Sequence, residues 1–174
     1  MSKTLIRRLQ ECIRSAPTVD MAVCPPICPH PPVSEETLAA AESRLGFPLP
    51  PLVGSLYTRV ADGGYGPGYG VIQLDGHDYT LVESRLRMNL ETVPEWIWPE
   101  RLVEFVNWGC HYFSGIDCAH PSCPVFFYNP DSAVGDASLA DCLIREADSL
   151  EEWLSAWLDG ARLWECGGQR GLHK

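Results

Sequence analysis

The sequence predicts an α+β fold, a single domain in which helices pack on a mainly antiparallel sheet. Three observations favour it. A length of 174 residues suits one core. Amphipathic helical patterns come first, then short β-branched and aromatic runs separated by turn residues, and then one more helix. Because helices and strands are segregated rather than alternating, a doubly wound parallel sheet is disfavoured.

The N-terminal region divides into a helix and an extended arm. Apolar residues such as Leu5, Ile6 and Leu9 recur at helical spacing, which predicts a short amphipathic helix over residues 3–14. The following stretch "APTVDMAVCPPICPHPPV" holds six prolines in eighteen residues. Proline fixes φ and lacks an amide hydrogen, so this stretch is predicted to be an extended arm.

Two further helices have clear boundary signals. Ser34 is a predicted N-cap with two glutamates in the first turn behind it, and Gly46 is the predicted end of that helix. Pro51 is suited to the first position of the next helix, which is expected to stop at the "DGG" beginning at Asp62.

Strands dominate the second half of the predicted order. The run "YGVIQL" is interpreted as a strand, and residues 80–91 as a weakly signalled helix. A capping box of Ser149 and Glu152 predicts a last helix that ends before Gly160. The remaining predicted strands are residues 102–107, 112–117, 124–128 and 142–146.

The formal net charge of −10 is unevenly distributed. Residues 1–87 carry 8 Lys and Arg against 9 Asp and Glu, whereas residues 88–174 carry 5 against 14. Such an acidic half would repel phosphate backbones, so nucleic acid is disfavoured as a partner, and a basic protein partner is favoured. The alternative is that the acidity serves only solubility.

The sequence predicts a cytoplasmic protein without a membrane partner. Its N-terminus lacks the uninterrupted apolar core of a secretory signal, and no stretch approaches the roughly 20 apolar residues of a membrane span. In a reducing cytosol the eight cysteines are expected to be free thiols or metal ligands rather than disulfides.

The glycine-rich segment "ADGGYGPGYG" raises the possibility of a phosphate-binding loop, which its spacing excludes. Glycines at i, i+2 and i+5 do not occur, and no Lys-Ser or Lys-Thr pair follows them. The segment is therefore predicted to be a structural turn between a helix and a strand. Tyr65 and Tyr69 remain candidate exposed contact residues.

Residues 35–74, from "EETLAAAESRLGF" to "GYGVIQL", resemble the core signature of the SUKH superfamily. That signature is a helix with a glutamate, a leucine–glycine and leucine–proline loop, a second helix and a glycine-rich turn. The tail "DSLEEWLSAWLDG" and the strand region "VNWGCHYFSGIDC" are similar as well. The matching signature positions are Glu42, Leu45, Gly46, Leu49, Pro50, Leu56, Tyr57, Gly63 and Gly64.

The resemblance implies a single α+β domain over residues 33–164, preceded by the helix and arm of residues 1–32 and followed by a tail of residues 165–174. It also implies a protein that acts by contacts with other proteins and is not an enzyme. Superfamily members include bacterial immunity proteins that neutralise polymorphic toxins, and a fungal regulator of cell-wall assembly. The signature residues are implied to be structural, and the resemblance implies no cofactor.

Two alternatives from another class are a zinc site and a thiol hydrolase. Tetrahedral zinc would need four ligands, and neither of two small Cys/His clusters supplies them alone. Cys110 beside His111, with Asp117 nearby, offers the residue types of a thiol nucleophile, its base and an orienting acid. The zinc candidates are Cys24, Cys28 and His30 in the arm, and Cys118, His120 and Cys123 in a turn.

The stretch "PEWIWPE" supplies the candidate partner-binding residues Glu95, Trp96, Trp98 and Glu100. Two tryptophans two positions apart share a face on an extended chain, and tryptophan is enriched in interface hot spots. The alternative is that they cover the sheet. Taken together, the sequence favours an immunity protein that blocks a toxin by occlusion, with an adaptor protein without a toxin partner as the alternative.

Overall fold

The structure is a computed structural model that describes residues 3–15, 28–76, 79–90, 97–135 and 138–163. Its first half is helical, and none of its described helices is long and apolar enough to cross a bilayer. Helix α2 begins after Ser34, whose Oγ accepts a hydrogen bond from the Thr37 amide, and ends at Gly46 with φ 81°. The first four helices are α1 (Lys3–Ser15), α2 (Glu35–Leu45), α3 (Pro51–Arg59) and α4 (Leu81–Leu90).

The second half of the described chain is a four-stranded antiparallel sheet in which every strand pairs with its neighbour in sequence. A four-residue helix precedes the last strand, and a helix capped by Ser149 follows it. The elements are β1 (Leu102–Gly109), β2 (Tyr112–Asp117), β3 (Val125–Tyr128), α5 (Leu139–Cys142), β4 (Leu143–Ala147) and α6 (Leu150–Leu158).

One hydrophobic core joins the two ends of the fold. Leu5, Ile6 and Leu9 of α1 are buried in the same cluster as Trp153 and Leu154 of α6. On the surface above them, Arg8 donates to the Asp159 carboxylate at 2.6 Å. Burial of these apolar side chains is the main favourable term for docking α1 onto the rest of the domain.

The predicted α+β class is confirmed. Helices are found at the predicted positions of α1, α2, α3, α4 and α6, and the four later strands lie within one or two residues of their predicted bounds. The short helix α5 was not predicted, because it occupies a turn region with no apolar repeat. Ser149 accepts a hydrogen bond from the Glu152 amide at 3.1 Å, which confirms the Ser149 half of the predicted capping box.

The prediction of a strand at "YGVIQL" is wrong. Val71 and Gln73 form only isolated bridges, to Val106 and Thr80. The backbone bonds of this stretch are divided among several partners: Ile72 donates to a β1 carbonyl at 2.9 Å, whereas Leu74 donates to the Asp62 carboxylate at 2.8 Å. No continuous ladder forms, because some backbone groups of this stretch are hydrogen-bonded to a side chain or to a loop instead of to a partner strand.

Candidate protein-interaction surfaces

The glycine-rich loop after α3 is a tightly folded structural turn. Gly63 and Gly64 have φ of 73° and 76°, a conformation that L side chains rarely adopt. The Gly64 amide donates to the Val71 carbonyl at 2.8 Å, and the Gly70 amide donates to the Pro67 carbonyl at 2.8 Å. These bonds return the chain toward β1.

Of the two tyrosines in this loop, Tyr65 is not exposed. Its side chain is completely buried in the core, because the loop folds inward over the helices, so it cannot contact a partner at the surface. Tyr69 is half-buried, its amide donates to the Asn107 carbonyl at 2.9 Å, and its ring lies over Gly109. Tyr69 therefore remains a candidate contact residue.

Glu42 connects helix α2 to the loop that leads into α3. Its Oε1 accepts a hydrogen bond from the Leu49 amide at 2.8 Å, directly before Pro50. At the start of the same loop, Gly46 donates its amide to the Glu42 carbonyl. Glu42 thus orients two other signature residues, Gly46 and Leu49. Leu45, which also belongs to the signature, is buried beside them.

Replacing Glu42 tests this role. We expect Glu42→Ala to lower the free energy of unfolding by about 1–2 kcal/mol, since a charge-assisted hydrogen bond to the Leu49 amide is lost. Glu42→Gln keeps an acceptor oxygen and should cost clearly less. Urea unfolding of the three proteins measures the difference, and equal losses in both variants would exclude the hydrogen bond as the cause.

Aromatic side chains cover one face of the sheet at β2 and β3. The ring of Trp98 lies 5.0 Å from that of Tyr128 and 6.0 Å from that of Phe113, measured between centroids. Phe126 lies on the same face as Tyr128, and the guanidinium carbon of Arg145 lies 5.9 Å from the centroid of its ring. Trp98 is half-buried and covers the sheet while keeping part of its ring accessible.

The other members of that predicted cluster have different outcomes. Glu100 is exposed, and its backbone carbonyl accepts a hydrogen bond from the buried Arg85 at 2.7 Å. Glu95 and Trp96 lie outside the described residues, so the pairing of Trp96 with Trp98 stays a prediction.

A groove with a volume of about 700 Å³ opens where α3 and α6 begin. Its apolar wall consists of Pro51, Leu52 and Pro121. Its polar wall carries hydroxyl and carboxylate groups, from Ser122, Ser149, Glu151, Glu152 and Ser155. We call these eight residues the acidic groove.

Local hydrogen bonds hold the acidic groove together. The Leu150 amide donates to the Ser122 carbonyl at 3.0 Å, which fixes the β2–β3 turn against the start of α6. Ser149 caps the helix through its hydroxyl oxygen. Ser155 lies one helical turn beyond Glu151 and Glu152, so the three side chains share one face of α6.

Sequence reasoning identified the residues of this groove only in part. Ser149 and Glu152 were predicted as helix caps and Pro51 as a helix start, not as parts of a surface. Nothing local in the sequence relates Pro121 to Pro51, because a tertiary contact brings the β2–β3 turn to both helices. The available signals in the sequence were the predicted starts of α3 and α6, because the groove forms where these two helix starts lie side by side.

The sequence model of the SMI1 / KNR4 family (SUKH-1) matches residues 32–156, which is most of the chain. The chain belongs to this family. No curated protein sequence matches it significantly. The SUKH-1 match spans the signature helices, the sheet and nearly all of α6, so the resemblance predicted from the signature is confirmed.

The zinc candidates do not form a metal cluster within the described part of this SUKH-1 chain. Cys118, His120 and Cys123 share the β2–β3 turn, but both thiols are buried, and burial raises the pKa of Cys118 strongly and that of Cys123 to about 12. Cys28 and His30 are exposed, and Cys24 lies outside the described residues.

The thiol-hydrolase candidates lie apart. Cys110 and His111 form the β1–β2 turn, with φ of 49° and 68°, rather than part of a strand. Asp117 ends β2, and a strand of this length separates its two ends by roughly 17 Å. The described geometry therefore does not bring Asp117 to Cys110, and SUKH proteins are generally non-catalytic.

Proposed function

We propose that this SUKH-1 protein is a non-enzymatic, cytoplasmic immunity protein that neutralises a toxin by occluding its active site. The match of the family model to residues 32–156 carries the proposal, because SUKH proteins serve as immunity or regulatory proteins. The acidic second half of the chain supports a basic partner, such as a nuclease that binds phosphate backbones.

Surface charge supplies a physical route to occlusion. Residues 88–174 carry a formal net charge of −9, which has the same sign as the phosphate backbone of a nucleic-acid substrate. A basic cleft that attracts phosphates would attract this half of the molecule by the same long-range forces. Aromatic and apolar contacts would then supply affinity once the charges have aligned the two surfaces.

The proposal is tested by identifying and reconstituting the partner. Tagged protein is recovered from its native cells at low salt, bound proteins are identified by mass spectrometry, and the partner is purified alone. We expect a basic toxin domain whose activity falls linearly to zero at one equivalent of this protein. A stoichiometric partner without toxic activity would contradict the immunity role and favour the adaptor.

Salt dependence tests the electrostatic part separately. We expect the association rate constant to fall by at least about tenfold between about 50 mM and about 500 mM salt, because ions screen the attraction. The dissociation rate constant should change much less. Stopped-flow or surface-based kinetics measure both, and an association rate that ignores salt would exclude charge steering.

A further inference from the structure

We propose that the acidic groove receives an arginine side chain of a basic protein partner. The inference rests on the proposed function for the existence of that partner, and it assigns the place and the chemistry of one contact. Three properties of the groove carry it: its charge, its shape and the fixed position of its walls.

Charge in the groove favours a cation. Glu151 and Glu152 supply two carboxylates, and none of the eight lining residues is cationic. The starts of α3 and α6 oppose this with about half a positive charge each, so negative charge prevails. Among the described residues, neither glutamate pairs with a basic side chain, whereas Glu83, Asp148 and Asp159 do.

Shape and hydrogen-bonding groups select arginine. The apolar wall of Pro51, Leu52 and Pro121 offers a surface for the three methylene groups of an arginine stem. A planar guanidinium has five N–H donors, enough to bridge two carboxylates and a serine hydroxyl at once. A lysine ammonium has three donors and is more strongly hydrated, so it would bind less tightly against the apolar wall.

Fixed walls make the groove a preformed receptor. The bond from the Leu150 amide to the Ser122 carbonyl joins the turn to α6, and the core contacts of Trp153 and Leu154 anchor that helix. A side chain that enters therefore orders little of the protein, and the entropy lost on binding is mostly that of the arginine itself.

The chain provides a matched control for the two glutamates. Glu35 and Glu36 occupy the first turn of α2 behind the N-cap Ser34, as Glu151 and Glu152 do behind Ser149. The α2 pair is exposed and does not line the groove. The double variant E35Q/E36Q therefore removes the same charge from the first turn of another helix, one position nearer the N-cap than in α6.

The experiment is an NMR titration of the full chain with acetyl-arginine amide and with its neutral isostere acetyl-citrulline amide. We expect arginine to shift the amides of Ser122, Ser149 and Ser155, and citrulline to bind about tenfold more weakly. E151Q/E152Q should reduce arginine binding to the citrulline level, and E35Q/E36Q should leave it unchanged.

Several outcomes would overturn the inference. Equal binding of the two probes, an unchanged affinity in E151Q/E152Q, or shifts in the groove by sulfate but not by arginine would each exclude an arginine receptor. If the probe binds as expected but E151Q/E152Q still neutralises the isolated toxin at unchanged affinity, the groove is not the partner's site. Failure of the wild-type protein to neutralise any partner would instead contradict the proposed function, and the probe titration would still decide the chemistry of the groove.

Discussion

Gly63→Ala is expected to lower the free energy of unfolding by about 3 to 5 kcal/mol, which is a large share of a typical domain's stability. A Cβ at this position would lie 2.7 Å from the Val71 carbonyl oxygen and 2.8 Å from the Gln73 amide nitrogen. Both are backbone atoms and cannot rotate away. The positive φ of 73° adds about 1–2 kcal/mol of strain to the overpacking.

Gly46→Ala is the control that separates these two causes. Gly46 also has a positive φ, 81°, but a Cβ there meets nothing within 4 Å. Its alanine variant should lose only about 1–2 kcal/mol, the cost of the left-handed conformation. Urea unfolding of both variants measures the losses, and similar values would show that the close approach of residues 71–73 carries no energetic cost.

Glu104→Gln is expected to remove a marked pH dependence of stability. Glu104 on β1 is only 2% exposed and lies between α4 and the sheet. Its carboxylate accepts hydrogen bonds from Tyr79 and, at 2.7 Å, from Ser84. Burial raises its pKa from 4.5 to about 7, although both hydrogen bonds and the charge of Arg87 act in the opposite direction.

The direction of the pH dependence follows from that raised pKa. Between pH 4.5 and 7 the folded protein holds a proton on Glu104 that the unfolded chain releases. Its contribution to stability is therefore fully present below pH 4.5 and is lost as the pH rises through about 7. The size of the pKa shift corresponds to a loss of about 3 kcal/mol across this range.

Comparison with Glu104→Gln isolates this one group from the other carboxylates. The two proteins should have similar stability near pH 4.5, and the variant should be more stable by about 2–3 kcal/mol at pH 8. Glu100→Gln, which removes an exposed carboxylate nearby, should keep the wild-type pH profile. Denaturant unfolding across the pH range measures the profiles, and a difference that does not vary with pH would exclude titration of Glu104.

Local signals predicted most of the fold. Ser34 and Gly46 delimit α2 because capping and left-handed conformations depend on neighbouring residues in sequence. The short run of residues 112–117, which holds aromatic and β-branched residues between turn signals, gives β2 for the same reason. The strand predicted at "YGVIQL" failed because a β-branched run requires a partner along its whole length, and Asp62 takes one of the necessary amides.

The buried environments of single residues and the candidate groove were less predictable, because both depend on contacts between distant segments. In the sequence, Glu104 is a single charged residue in an apolar strand. Its burial requires Tyr79 and Ser84, which lie 25 and 20 positions earlier. Tyr65 is surrounded by glycines typical of an exposed loop, yet the loop folds into the core. The groove likewise needs Pro121 brought beside Pro51 and α6.

The joining of α1 to α6 has a consequence for synthesis on the ribosome. Arg8 and Asp159, which pair in the folded protein, are separated by 151 positions. At 5–20 residues per second, roughly eight to thirty seconds pass between their translation. During that interval α3 has already been synthesised and is available to pack against the apolar face of α1. In the folded protein, Gln10 of α1 donates a hydrogen bond to the carbonyl of Arg59 at the end of α3. The nascent chain thus completes this core only when α6 leaves the exit tunnel.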